Sequence, residues 1–150
     1  NREHARQITR QEAVDIVEAE AARGHVHHAF FKQAMLGRFY AICNCCSCCC
    51  GAISAHLHGT PMLVSSGYVA QVDEERCVAC GTCVQACPFG ALTLTDGLAI
   101  DTDRCMGCGV CPRVCPQQAL TLVRDASKPE PMPLATPEAM PETMIRALTP

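Results

Sequence analysis

Tryptophan is absent, and aromatic residues make up only 4% of the 150 residues. That excludes an interior built on stacked rings. Surplus positive charge is missing too: 12 Lys and Arg against 15 Asp and Glu leave a formal net charge of -3. Nothing here suits nucleic acid or an anionic membrane surface. Residues 43–67 hold no Asp, Glu, Lys or Arg at all. They are nevertheless no membrane span, because Asn44, Ser47, Gly51, Ser54, His56, His58, Gly59 and Pro61 break the run well short of the about 20 apolar residues required. The segment reads as buried against protein. No Rossmann fingerprint, P-loop, HExxH or Gly-x-Ser-x-Gly motif occurs, so nucleotide, flavin and hydrolase chemistry have no support. The chain begins at Asn1, not Met, which leaves a preceding leader or longer N-terminal part open.

What is abundant is cysteine, 14 in 150 residues. A secreted, disulfide-stapled domain is one reading of that composition. The spacing argues against it. Cys77-Val-Ala-Cys80-Gly-Thr-Cys83-Val-Gln-Ala-Cys87-Pro88 and Cys105-Met-Gly-Cys108-Gly-Val-Cys111-Pro-Arg-Val-Cys115-Pro116 are two copies of C-x2-C-x2-C-x3-C-P. Thiols at this spacing converge on a shared metal centre more naturally than on separate bridges. Zinc, usually held by two well-separated cysteine pairs, fits the pattern poorly. Thiolate ligands need a reducing compartment, which favours the cytoplasm.

The duplication extends beyond the cysteines. Val72-Asp-Glu-Glu-Arg76-Cys77 matches Ile100-Asp-Thr-Asp-Arg104-Cys105, and Gly90-Ala-Leu92-Thr-Leu94 matches Gln118-Ala-Leu120-Thr-Leu122, both at an offset of 28 residues. Each unit reads as strand, cysteine loop, short helix, strand, with Asp96-Gly97 turning between the halves. Alternation in Leu92-Thr-Leu94 and Leu120-Thr-Leu122 suits strands with one buried face. Gly81, Gly107 and Gly109 let the backbone curl close to a bound group, and Pro88 and Pro116 end the short helices.

Residues 68–123 thus resemble a bacterial-type 2[4Fe–4S] (dicluster) ferredoxin domain. The resemblance implies two [4Fe–4S] clusters and single-electron transfer. It also implies that the fourth cysteine of each run serves the other run's cluster: Cys77, Cys80, Cys83 and Cys115 on one, Cys105, Cys108, Cys111 and Cys87 on the second. Six acids in this segment (Asp73, Glu74, Glu75, Asp96, Asp101, Asp103) against three arginines (Arg76, Arg104, Arg113) should lower the cluster potentials slightly. The expected fold class is α+β: a pseudo-twofold ferredoxin-like dicluster domain with an N-terminal helical extension and an extended Pro-rich C-terminal tail.

Four segments follow: a helical extension at 1–42, the uncharged cysteine-rich segment at 43–67, the cluster domain at 68–123 and a tail at 124–150. In the first, Thr9-Arg-Gln-Glu12 is a capping box. Ala13, Val14, Ile16, Val17 and Ala21 fall on one face, Gly24 offers a left-handed stop, and His25, His27 and His28 are expected to sit at the helix end. The tail holds Pro129, Pro131, Pro133, Pro137, Pro141 and Pro150, six of the ten prolines. It cannot build a core, so a partner subunit is expected to hold it.

Six cysteines remain in Cys43-Asn-Cys45-Cys46-Ser-Cys48-Cys49-Cys50. As packing residues they carry needless oxidation risk, and adjacent residues are poor disulfide partners. A third Fe–S centre is the sharper reading, with His56 and His58 as further candidate ligands. The block resembles a cysteine-rich element that precedes dicluster domains in other iron–sulfur proteins; it lacks the widely spaced double-cysteine pattern of heterodisulfide-reductase-type noncubane sites, so no resemblance to that enzyme class is expected. The expected function is an electron-transfer protein, or a subunit of an oxidoreductase complex, working with a redox partner protein. The alternatives are an oxidoreductase or a redox sensor using the metal or reactive thiols at 43–50.

Overall fold

The computed structural model describes residues 5–32 and 38–130; the expected tail contacts beyond residue 130 lie outside the described residues. Helix α1 (Arg10–Ala22) starts as the capping box requires. The Glu12 amide donates to Thr9 Oγ1 at 3.1 Å, and the Thr9 amide donates to Glu12 Oε2 at 2.8 Å. Arg6 adds an ion pair to Glu12 at 2.9 Å. Its apolar stripe is narrower than expected. Ala13, Val17 and Ala21 are partly covered, while Val14 and Ile16 stay open at 41% and 42% exposure.

The remainder of the N-terminal segment departs from the helical expectation. Strands β1 (Val26–Lys32) and β2 (Arg38–Cys45) pair antiparallel, with an irregularity between Phe30 and Phe31. β-Branched and aromatic residues (Val26, Phe30, Phe31, Phe39, Tyr40, Ile42) suit a strand better than a helix. His27 and His28 therefore lie in β1, and of the three histidines only His25 stays at the helix end, where its ring pairs with Glu20. Helix α2 (Gly51–Leu57) follows the cysteine block. The uncharged segment 43–67 is not buried as expected: only Ile53 and Gly67 are covered, and Val64 stands 78% exposed. Absence of charge is not apolarity; its Ser, Thr, His and Gly residues are comfortable in water.

From residue 68 the two repeat units form as the sequence indicates. Unit one is β3 (Tyr68–Val72), α3 (Thr82–Ala86) and β4 (Leu92–Leu94); unit two is β5 (Leu98–Ile100), α4 (Val110–Val114) and β6 (Leu120–Arg124). The outer strands β3 and β6 pair antiparallel, Val72 opposite Leu120, and the inner strands β4 and β5 do the same, Leu92 opposite Ile100. Each unit thus depends on the other for a sheet. The architecture mixes helix and strand, in keeping with the α+β class.

Two small cores result. One joins Val69, Ala70, Ala91, Leu92 and Leu120 with Cys83, Cys105 and Cys111. The other joins Val26 of β1, Ile53 of α2, Phe89 and Val110, and so ties the N-terminal segment to the repeat. Ser66 reinforces that seam: its amide donates to Met106 O at 3.1 Å, and its hydroxyl to Gly107 O at 2.9 Å.

Candidate metal centres

The two cysteine loops are shaped by matching hydrogen bonds, 28 residues apart. The Cys77 amide donates to Asp73 O at 3.0 Å, and the Cys105 amide to Asp101 O at 3.0 Å. The Asp73 carboxylate accepts from the Glu75 and Arg76 amides; that of Asp101 accepts from Asp103 and Arg104. Asp73 and Asp101 are thus turn-forming residues. Gly81 and Gly109 cap α3 and α4 in the left-handed region, at φ 75° and 80°. Cys87 and Cys115 end those helices at ψ 110° and 113°, the extended backbone that a following proline imposes.

This scaffold brings the cysteines together crosswise. A cavity of about 360 Å³ is lined by Cys77, Cys80 and Cys83 of the first run and by Cys115 of the second. A second, of about 290 Å³, is lined by Cys105, Cys108 and Cys111 with Cys87. The other walls are mainly apolar, Leu94, Leu98 and Leu120 in the first, Ala91, Leu92 and Val110 in the second. Leu94 and Leu122, whose pattern marks them for burial, are 39% and 37% exposed, and each lines a cavity. A group filling the cavities would cover them.

Backbone amides are aimed at the sulfurs. Ala91 donates to Cys87 Sγ, Ala119 to Cys115 Sγ and Ala70 to Cys105 Sγ, each at 3.4 Å. Burial, more than the neighbouring thiols, pushes Cys111 up to about 12, and it raises Cys83 and Cys108 as well. Cys80 runs the other way, lowered by the Thr82 hydroxyl beside it. Four thiols in an apolar recess cannot all ionise without positive charge among them. Soft sulfur donors, amide donors and apolar walls together fit an iron–sulfur cluster.

The cysteine block sorts into two groups. Strand β2 ends at Cys45, and residues 47–49 turn, closed by the Cys50 amide donating to Cys46 O at 3.2 Å. Cys46 and Cys48 form a disulfide, and Cys49 Sγ lies 3.5 Å from Cys46 Sγ. The bridge joins alternate residues across the turn, a pairing that the rule against adjacent cysteines leaves open. Cys45 and Cys50 turn the other way, toward His28, and the three ligand atoms all lie within 4.8 Å of one another. Burial first, then the Cys50 and Cys43 thiols, lifts Cys45 to about 12, while the Ile53 amide lowers Cys50.

His56 and His58, the candidate ligands, do not join either group. The His56 ring stands edge-on to Phe89, and His58 Nδ1 lies 2.7 Å from Ser54 O. His28 is the residue that sequence reasoning missed. The signal lay in the alternation of Val26, His28 and Phe30, which puts His28 on the hairpin face of Cys43 and Cys45.

Comparison with known proteins bears on the second half of the chain. Residues 70–122 match the family model described as "4Fe-4S dicluster domain". A 28-residue stretch, 19% of this chain, is 57% identical to a CoB–CoM heterodisulfide reductase iron–sulfur subunit of Methanopyrus kandleri. A 27-residue stretch, 18% of this chain, is 56% identical to a heterodisulfide reductase subunit-like protein of Archaeoglobus profundus. The matches span only 4% of the length of each of these relatives, about one repeat unit of this chain. The expectation of no resemblance to heterodisulfide reductases, drawn from the block at 43–50, is thus corrected over a short stretch: these relatives are named as subunits of that class. Residues 70–122 carry a 4Fe-4S dicluster domain, and no helix among the described residues is long and apolar enough to cross a membrane.

Proposed function

We propose that this chain is an iron–sulfur electron carrier, or the electron-transfer subunit of a larger oxidoreductase, holding two [4Fe–4S] clusters. Cys77, Cys80, Cys83 and Cys115 would ligate one; Cys105, Cys108, Cys111 and Cys87 the other. The observation that carries the reading is the crosswise lining of the two cavities. When bound, such clusters accept and release single electrons.

The chain's own residues set the conditions for that chemistry. The amides of Ala70, Ala91 and Ala119 donate to cysteine sulfur and so favour the more negative, reduced state. Leu94, Leu98 and Leu120 line the first cavity with apolar surface, and Leu122 lines the second. The two cavities differ in access: Cys80 is exposed and Val78 beside it is 62% exposed, whereas the second recess packs against the core formed by Val26, Ile53, Phe89 and Val110. A redox partner would meet the first cavity through the Val78–Cys80 loop. The heterodisulfide reductase subunits that share a short segment are named as parts of an enzyme; by analogy the partner here is a larger oxidoreductase complex, in a reducing compartment such as the cytoplasm, where the Cys46–Cys48 bridge would stand open as two thiols. The pseudo-twofold arrangement of the two units is part of the same proposal, supported by the loop geometries that recur at an offset of 28 residues.

Iron and acid-labile sulfide analysis of the full chain, purified without oxygen, tests the reading. About eight of each per chain, with an interacting two-cluster EPR signal after reduction, is expected. Zinc with no labile sulfide would overturn it.

A further inference from the structure

We propose that His28, Cys45 and Cys50 form a separate binding site for one thiophilic divalent ion, of the zinc or ferrous class, outside the two dicluster cavities. The inference does not rest on the electron-carrier reading, because none of its ligands belongs to either cysteine run.

Three elements converge to make the site. In the β1–β2 ladder, Val26 pairs with Cys45 and His28 with Cys43, so His28 and Cys45 are diagonal neighbours on one face. The turn at 47–49 then reverses the chain and returns Cys50 to that face just before α2 begins at Gly51. The result is two sulfurs and an imidazole nitrogen mutually within 4.8 Å. A tetrahedral ion with bonds of about 2.0–2.3 Å holds its ligands roughly 3.5–3.8 Å apart, so a modest contraction closes the triangle.

Two further observations point to an ion. His28 Nδ1 is buried and makes no hydrogen bond, as is true of His27 Nε2 and His56 Nδ1, but of the three rings only that of His28 stands beside two thiols; an orphaned buried nitrogen is a liability that ligation or a bonded partner removes. No Asp, Glu, Lys or Arg occurs from 43 to 67, so this segment brings no carboxylate to the group, whose three ligand atoms are two sulfurs and a nitrogen, a set that selects zinc or ferrous ions over magnesium or calcium. Cys43 stands opposite His28 in the ladder, on the same hairpin face, but outside the group of three. Cys46, half-buried, and Cys48 and Cys49, exposed, form the other group and are not needed.

Cys45 and Cys50 also pack on the four residues, Val26, Ile53, Phe89 and Val110, that Cys87 and Cys108 pack on. The ion would therefore pin the N-terminal hairpin over the second cavity.

The test is metal analysis of the full chain, loaded with its clusters, together with Co(II) added anaerobically after mild chelation. The expected result is about one metal equivalent beyond the iron matched by labile sulfide, and cobalt absorption bands of tetrahedral thiolate character. His28→Ala and Cys45→Ser should each cut that equivalent about tenfold while cluster iron, labile sulfide and the cluster EPR signal stay unchanged. Cys48→Ser should keep the metal. The proposal is overturned if the chain holds no metal beyond its clusters, or if Cys48→Ser loses the equivalent while His28→Ala retains it. The cluster signal reports folding in every variant, so a collapsed protein is recognised; cobalt bands in the Cys50→Ala chain at wild-type intensity would also overturn it.

Discussion

A Cβ on Gly107 would lie 2.3 Å from the Tyr68 carbonyl oxygen and 2.3 Å from Ser66 Oγ, and the residue holds φ 62°. The carbonyl belongs to the backbone of β3 and cannot swing aside. Gly107→Ala is therefore expected to cost about 2–3 kcal/mol and to lower the iron retained in the second cavity, read by denaturant titration and iron analysis. Its counterpart 28 residues earlier is Ala79, which already tolerates φ 53°; Ala79→Gly should change stability by less than about 1 kcal/mol. The crosswise cysteines make a second prediction at this scale. Cys87→Ser, although it lies in the first run, should abolish the same EPR component as Cys105→Ser and leave that of Cys77→Ser intact. Loss of the Cys77 component instead would mean that each run serves its own cavity.

Among the elements, α1 is held mainly at its start. Thr9→Ala removes one half of the capping box and should cost the helix about 1 kcal/mol, seen as faster amide exchange over its first turn. Glu12 sits below the ordinary carboxylate range, first through the Thr9 amide and then through Arg6. A lowered folded-state value means stabilisation that is complete above the unfolded-state value and lost as the pH falls through the folded one. The first turn of α1 should thus fray only on acidification to below the usual glutamate range, and Glu12→Gln should remove that pH dependence; amide exchange at acidic and neutral pH measures both. The cysteine loops differ in a way that bears on redox chemistry. Cys80 is exposed, while Cys105 and Cys111 are buried. Burial disfavours the added negative charge of reduction, so the centre at Cys105, Cys108, Cys111 and Cys87 should reduce at the lower potential even though two of the three sulfur-directed amides serve it; a higher potential there would mean that those amides outweigh burial, and potentiometric titration followed by EPR decides it.

For the molecule as a whole, the second half has little else to hold it. Its strands run three to five residues, its helices five, and its cores are built partly of cysteine. Removing metal with a chelator under reducing conditions should unfold residues 68–123, with loss of amide protection across β3 and β6, while α1, whose cap is local, loses less. Much of this was legible beforehand. The 28-residue repeat, the proline-ended helices and the capping box all act over a few residues, so local chemistry determines them. The β1–β2 hairpin was not read from the sequence, because its pairing joins residues up to 19 apart, Val26 to Cys45, and the adjoining capped helix suggested a continuous helical segment. The same gap hid His28, whose nearness to Cys45 and Cys50 exists only once the hairpin and the turn at 47–49 have formed. Sequence alone thus determined the soft-ligand chemistry and the two short-range loops, because spacing within a run sets which thiols can share a centre. Tertiary structure decided how exposed each cavity is, where His28, His56 and His58 stand, and how the six extra cysteines divide, because those depend on contacts between segments with no fixed separation along the chain.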